Sequence, residues 1–395
     1  MDRLTNPYTP NAGAQPPELA GRGQELENFE VLLNRMRQGR PEQSMIVTGL
    51  RGVGKTVLLN AFEGRAENAN WVTVSTEIQK HGEFSEKLAS LARRSLFALS
   101  PRAKWGARAT AAARVLKSFS ISVGADGVTA ALDLEKLEGQ ADTGMLADDM
   151  TDLFVALGEA ARENGSGVVF LVDEMQYLNA EELGAFIAAL HRTVQKSLPI
   201  TVVGAGLPQL PKLAGDARSY AERLFKFPQI GALSDSDASL ALEGPARHEG
   251  IEFEAAALAA ILEYTEGYPY FLQEYGRAVW QTASQSPIAF EDVTAARPLV
   301  EATLDESFFR VRADRATSLE LRYLRAMASL GPLPQAAKDV AAVLDRTSEQ
   351  LGPTRARLID KGLLYTPMHG HAAFTVPQFD QHMLRVYPEL LDSEG

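Results

Sequence analysis

Gly49-Leu-Arg-Gly-Val-Gly-Lys-Thr56 fits the pattern GxxxxGK[ST], the Walker A loop. Its glycines let the backbone turn so that N–H groups converge on a phosphate-sized nest, and a helix starting directly after adds its positive end. Gly49, Arg51, Gly52, Val53, Gly54, Lys55, Thr56 and Val57 are the expected binding loop. Lys55 would reach the β- and γ-phosphates and the Thr56 hydroxyl would ligate Mg²⁺. A second group, Val168-Val-Phe-Leu-Val-Asp-Glu174, ends a hydrophobic run on two carboxylates. Asp173 suits the water shell of Mg²⁺, and Glu174 suits orienting and polarising an attacking water. Taken singly, the first motif also reads as a glycine turn with an exposed lysine and the second as a solvated helix start. Their pairing points to hydrolysis of ATP with Mg²⁺.

Both motifs need a parallel sheet beneath them. Leu26, Phe29, Leu32, Leu33 and Met36 share one helical face, Ser44-Met-Ile-Val-Thr48 follows as an apolar strand, and the glycine loop and a helix come next. Residues 71–78 alternate as a strand, while 168–172 and 200–203 are buried-strand runs. Strands separated by helical stretches imply βαβ units, and acids at the carboxyl end of a strand stand where open α/β sheets bind ligands. Residues 1–18, rich in Pro, Asn and Gly, read as an irregular lead-in.

The chain has 395 residues, 45% of them hydrophobic and 23% charged, which indicates a globular protein of several domains. It has no cysteine, which excludes disulfides, thiolate metal sites and cysteine nucleophiles. No apolar run approaches the ~18 residues of a membrane helix, so a soluble, cytoplasmic protein with no membrane partner is expected.

With the continuation Asp173-Glu-Met-Gln-Tyr-Leu178 and the opening Leu19-Ala-Gly-Arg-Gly-Gln-Glu-Leu26, the two motifs resemble AAA+ ATPases of the origin-recognition/initiator type and their bacterial relatives. STAND signalling ATPases are close cousins. The resemblance spans about residues 19–385. It implies a P-loop AAA+ core over 19–230, a helical lid over 231–312 and a winged helix-turn-helix domain over 313–395. It implies that Leu19 and Arg22 lie against adenine and ribose; the same stretch also reads as a helix start led in by a turn. Arg223, within Ser219–Phe225, would be a catalytic arginine finger reaching across a subunit interface, with Arg218 as its substitute and a structural ion pair as the alternative. Two family positions differ here. Val203-Gly-Ala-Gly-Leu-Pro208 offers no Asn, Thr or Ser as γ-phosphate sensor, and Gly267-Tyr-Pro-Tyr270 carries Tyr270 where a second sensor is usually arginine.

The C-terminal pattern is three helices, Thr317–Ser329, Lys338–Leu344 and Gln350–Lys361, followed by short strands at 363–365 and 374–376. That order makes a winged helix-turn-helix. Thr354, Arg355 and Arg357 on its third helix suit a DNA groove or phosphates; protein docking is the alternative use of such a module. Before the acidic strand, residues 93–117 hold seven cations and no acid, among them Arg102, Lys104 and Arg108. Residues 118–124 and 128–134 then alternate like two strands of a hairpin. This insertion, about 93–135, is expected to face DNA, with a partner-protein surface or a solvated helix as alternatives. With residues 93–117 at +7 and residues 317–385 at +2, the formal charge of −12 leaves −21 on the rest of the chain, where the acidity lies. The expected function is a slow or regulated ATPase acting as a nucleotide-controlled DNA-binding and assembly switch. Its expected partners are ATP or ADP, duplex DNA and further copies in a ring or filament, with nucleoid association if DNA is bound. The alternative is a STAND-like signalling or scaffold ATPase whose winged helix docks protein.

Overall fold

The structure, a computed structural model, describes residues 1–390 except 12, 81, 83, 101–104 and 130–138. From the N-terminal side run α1 (Gly23–Arg37), β1 (Ser44–Thr48), α2 (Lys55–Asn68), β2 (Val72–Glu77), α3 (Phe84–Leu99), α4 (Ala107–Ser122), α5 (Leu146–Glu163), β3 (Val168–Asp173), α6 (Ala180–Gln195), β4 (Ile200–Gly206), α7 (Leu210–Ala217), α8 (Ala221–Leu224) and β5 (Phe225–Lys226). The five strands form one parallel sheet in the order β2-β3-β4-β1-β5. Strand alternation divides the apolar side chains between two layers. Met45, Val47, Val169 and Leu171 pack with α1 and α2, whereas Ile46, Val168, Phe170 and Val172 pack with α3 to α6. The Phe29 and Phe62 rings, 4.7 Å apart, close the first layer; truncating either to alanine would cost about 3–5 kcal/mol.

The expected hairpin within 93–135 is corrected: residues 118–122 continue α4, and Asp126–Val128 is a 3-10 turn. The remainder of its second strand, 130–134, lies outside the described residues. Ala112, Val115, Leu116 and Phe119 are buried at helical spacing, so the Ser-Phe-Ser-Ile-Ser alternation is the tail of an amphipathic helix. Two of the insertion's basic residues have partners within the chain. Arg108 pairs with Glu159 at 2.5 Å, the Arg93 guanidinium lies 5.2 Å from the centre of the Phe97 ring, and α3 and α4 bury their apolar faces against the sheet layer. Arg102 and Lys104 lie outside the described residues.

The chain continues through α9 (Asp235–His248), α10 (Ala255–Thr265), α11 (Pro269–Thr282), α12 (Phe290–Thr303), a π-helical turn over Leu304–Phe309 and α13 (Arg310–Ala313). Then come α14 (Ser318–Ser329), β6 (Gln335–Ala336), α15 (Ala337–Val343), α16 (Ser348–Asp360), β7 (Leu364–Tyr365), β8 (His371–Phe374) and α17 (Phe379–Val386). Ser234, Thr317 and Thr347 cap α9, α14 and α16 by accepting from backbone N–H groups. The short antiparallel sheet β6-β8-β7 beside three helices fits a winged helix. One continuous apolar core runs from α1 and α2 through α9 to α12 and into the C-terminal helices, from Phe29 to Met383. Among the described residues, no helix is long and apolar enough to cross a membrane.

Candidate functional site

β1 delivers the glycine loop to the carboxyl edge of the sheet, and α2 starts at Lys55. Gly52 and Gly54 have φ of +84° and +91°, left-handed values that favour glycine. Gly54 is the N-cap of α2 and makes no side-chain cap, so the first N–H groups of that helix face the loop. Gly49 lies beneath the loop and does not line the cavity: a Cβ there would stand 2.4 Å from the Ile230 carbonyl oxygen. Lys55 Nζ, nearly buried, donates to the Gly49 and Leu50 carbonyls at 2.9 and 2.7 Å. Burial pushes its ammonium down to about 8, against the pull of Glu174 and Asp173.

β3 brings its acids to the same edge. Thr56 Oγ1 donates to Asp173 Oδ2 at 2.6 Å. Glu174 has φ 55° and ψ 37°, a left-handed conformation strained for a side chain of this length. Its Oε1 pairs with Arg51 Nη1 at 3.2 Å and its Oε2 accepts from the Gln176 amide. The other end of that amide, Gln176 Oε1, accepts from the Leu207 N–H just past β4 at 3.2 Å. A polar group thus stands at the end of β4, although β4 itself offers none; sequence spacing gave no sign of Gln176.

Around these residues lies a cavity of about 420 Å³, within the size range of small-molecule sites. Arg51, Gly52, Val53, Gly54, Lys55, Thr56, Val57, Asp173, Glu174, Leu19 and Arg22 all line it, so the structure brings together nearly every residue expected there. Arg22 is buried and its Nη2 donates to the Val53 and Gly231 carbonyls at 3.1 and 2.8 Å. Its guanidinium therefore ties the loop to the start of the helical region. Arg223 is exposed and lies outside the cavity, whereas Arg218 Nε donates to the Gly184 carbonyl at 3.2 Å.

Two walls were not legible in the sequence. The N-terminal lead-in is a strap: Tyr8 is buried and donates to the Leu242 carbonyl at 2.6 Å, and the Gly13 carbonyl accepts from Asn60 of α2 at 3.1 Å. Thr9, Pro10, Asn11, Gly13, Ala14 and Pro16 supply that side of the cavity. The one signal was Tyr8 itself, the only aromatic residue among the first eighteen. The opposite wall comes from Ser307, Phe308 and Arg312.

The C-terminal sheet sits on the glycine loop. The Arg51 N–H donates to the Thr375 carbonyl at 3.1 Å, and Arg51 Nη2 donates to the Tyr177 hydroxyl at 2.9 Å. Gly362, at φ +69°, packs so that a Cβ there would lie 3.1 Å from Arg51 Nη2. Lys80 and Asp360 form an ion pair at the same junction.

The residues expected to meet DNA are engaged internally. Thr354 is buried at 1% exposure, Arg355 Nη2 donates to the His371 carbonyl at 2.7 Å, and Arg357 Nε lies 3.3 Å from Glu320 Oε1. The reason is packing: Glu320 is wholly buried, and Lys361, at 2.6 Å, and Arg357 supply its counter-charges.

Residues 18–203 match the family model described as an AAA ATPase domain, and residues 306–383 match one described as a domain of unknown function, DUF8462. No curated protein matches the sequence. Among solved structures, the chain is similar to the Walker-type ATPase PABY2304 of Pyrococcus abyssi, at 15% identity and TM-score 0.50, with 93% of this chain and 97% of that one covered. Cdc6p from Pyrobaculum aerophilum matches at 16% identity and TM-score 0.46, covering 99% and 98%. The ORC1 protein of Aeropyrum pernix, solved in complex with DNA, matches at 14% identity and TM-score 0.46, covering 98% and 97%. The first likeness is one of fold.

Proposed function

We propose, from the match of residues 18–203 to an AAA ATPase domain model, that this chain is an ATP-hydrolysing switch whose nucleotide state governs the position of its C-terminal winged-helix region. The observation that carries this is Arg51. A single residue of the glycine loop gives its N–H to Thr375 and its guanidinium to Glu174 and Tyr177. A loop that rearranges around phosphates cannot leave these contacts untouched, so the docked region and the hydrolytic carboxylate respond together.

The residues fit a nucleotide and Mg²⁺. The left-handed glycines, the uncapped start of α2 and the buried Lys55 form a cradle for phosphates. Thr56 and Asp173 would hold Mg²⁺, which neutralises phosphate charge when bound. Leu19, Ala20 and the strap suit the base and ribose. Glu174, once free of Arg51, takes the role of general base for the attacking water. Arg223, exposed and outside the cavity, suits a contact with a neighbouring subunit.

Of the two expected uses, the STAND-like one fits better, because the winged-helix region rests on its own core and its basic helix residues are paired. Phosphate release at saturating MgATP tests the reading. Glu174→Gln should bind ATP and turn it over about 100-fold or more slowly, and Arg51→Ala should turn over faster than the parent. Undiminished hydrolysis in Glu174→Gln would overturn the base assignment. No gain in Arg51→Ala would overturn the docked, restrained state.

A further inference from the structure

Tyr270 leaves a cation missing where the lid meets the phosphates, yet the cavity holds one there from elsewhere in the chain. Arg312, on α13, lines the same cavity as Lys55, Arg51 and Tyr270. It belongs to the 306–383 match and not to the ATPase match. Its guanidinium lies 4.1 Å from the centre of the Phe308 ring and donates to the Phe308 carbonyl. The Phe308 ring in turn stacks on Tyr270 with centroids 4.6 Å apart and planes 18° from parallel. The π-helical turn over Leu304–Phe309, a rare geometry common at functional sites, sets this arrangement.

The electrostatics of the wall are unbalanced. Among the described residues, no carboxylate lies within ion-pair distance of Arg312. Burial first, and Arg51 second, push its guanidinium down to about 10. Nearby, Tyr268 is buried, and its hydroxyl has no hydrogen-bond partner and stands 3.3 Å from where a Cβ on Gly52 would be. A half-buried guanidinium lining the cavity beside Arg51 and Lys55, with no carboxylate paired to it, is the complement of a polyvalent anion.

We propose that Arg312 binds the polyphosphate tail of the nucleotide, held over the cavity by the Phe308–Tyr270 stack, and so replaces the lid arginine that this chain lacks. The proposal rests on the nucleotide reading of the cavity. Because Arg312 sits six residues before the start of α14, the same contact makes the tail pull directly on the segment leading into the C-terminal region.

Titration calorimetry with AMP, ADP and a non-hydrolysable ATP analogue, each with Mg²⁺, tests it. Arg312→Ala should weaken the triphosphate by about 10- to 100-fold, the size of a lost charge-assisted hydrogen bond, and leave AMP within about twofold. Arg312→Met, which keeps an apolar stem on Phe308, should behave like Arg312→Ala, and Arg312→Lys should recover part of the loss. Unchanged triphosphate affinity, or an equal loss for AMP, would overturn the assignment. A parent protein that binds none of the three would instead overturn the nucleotide reading itself.

Discussion

Lys55 shows how a single buried charge couples binding to protons. In the free protein, burial holds its ammonium down to about 8; a phosphate tail beside it favours the charged form and raises that value. Binding therefore takes up a proton once the pH exceeds about 8. Affinity for ADP should be flat below that point and fall as pH rises above it, by at most about tenfold per pH unit. Calorimetry in buffers of different ionisation enthalpy would read the proton uptake directly, and an affinity flat to about pH 9.5 would contradict the burial of Lys55. Glu174 belongs to the same scale. Its left-handed backbone is a local strain at the carboxylate proposed as the base, maintained by the Arg51 pair, the Gln176 amide and the end of β3.

Among the elements, α16 departs most from its expected role. Its position agrees with the sequence reading, but its cations are engaged within the chain: Arg355 donates to the His371 carbonyl, and Arg357, although exposed, pairs with Glu320. Burial would push the Glu320 carboxyl up; hydrogen bonds from Lys361 and the Thr317 backbone, with the Lys361 charge, hold it below the usual range instead. A carboxyl whose folded pKa is lowered stabilises the fold above its unfolded value of about 4.3, and that contribution is lost as pH falls below it. Glu320→Ala should destabilise the C-terminal region by roughly 3 kcal/mol at neutral pH, since it strands Lys361 and Arg357. The difference from the parent should shrink in acid, and denaturant melts at about pH 7 and pH 4 would show it. α4 teaches a related point. Its serines produced a strand-like alternation, whereas the buried set Ala112, Val115, Leu116 and Phe119 has the helical period; short windows with small polar residues satisfy both periods.

For the whole molecule, the shared core and the Arg51 contacts make the C-terminal region part of the ATPase surface. Any duplex DNA would then meet an acidic chain whose third-helix cations already have partners. Arg355→Ala and Arg357→Ala should leave any duplex affinity within about twofold of the parent, and its salt slope unchanged, in both ADP and ATP states. A drop of one in the slope for either variant, read by filter binding across salt, would restore the groove-facing role of α16. The two Walker motifs, the βαβ order and the helix–ribbon order at the C-terminus were determined by the sequence alone, because each is a local pattern whose spacing already encodes a loop, a strand end or a turn. Only the tertiary structure decided that Tyr8 packs against α9, that Gln176 reaches the end of β4, that Arg312 lines the cavity with the glycine loop and that Arg357 pairs with Glu320. These are pairings between residues distant in sequence or in neighbouring elements. They follow from which apolar faces close on one another, and packing, not local spacing, determines where a long polar side chain finds its partner.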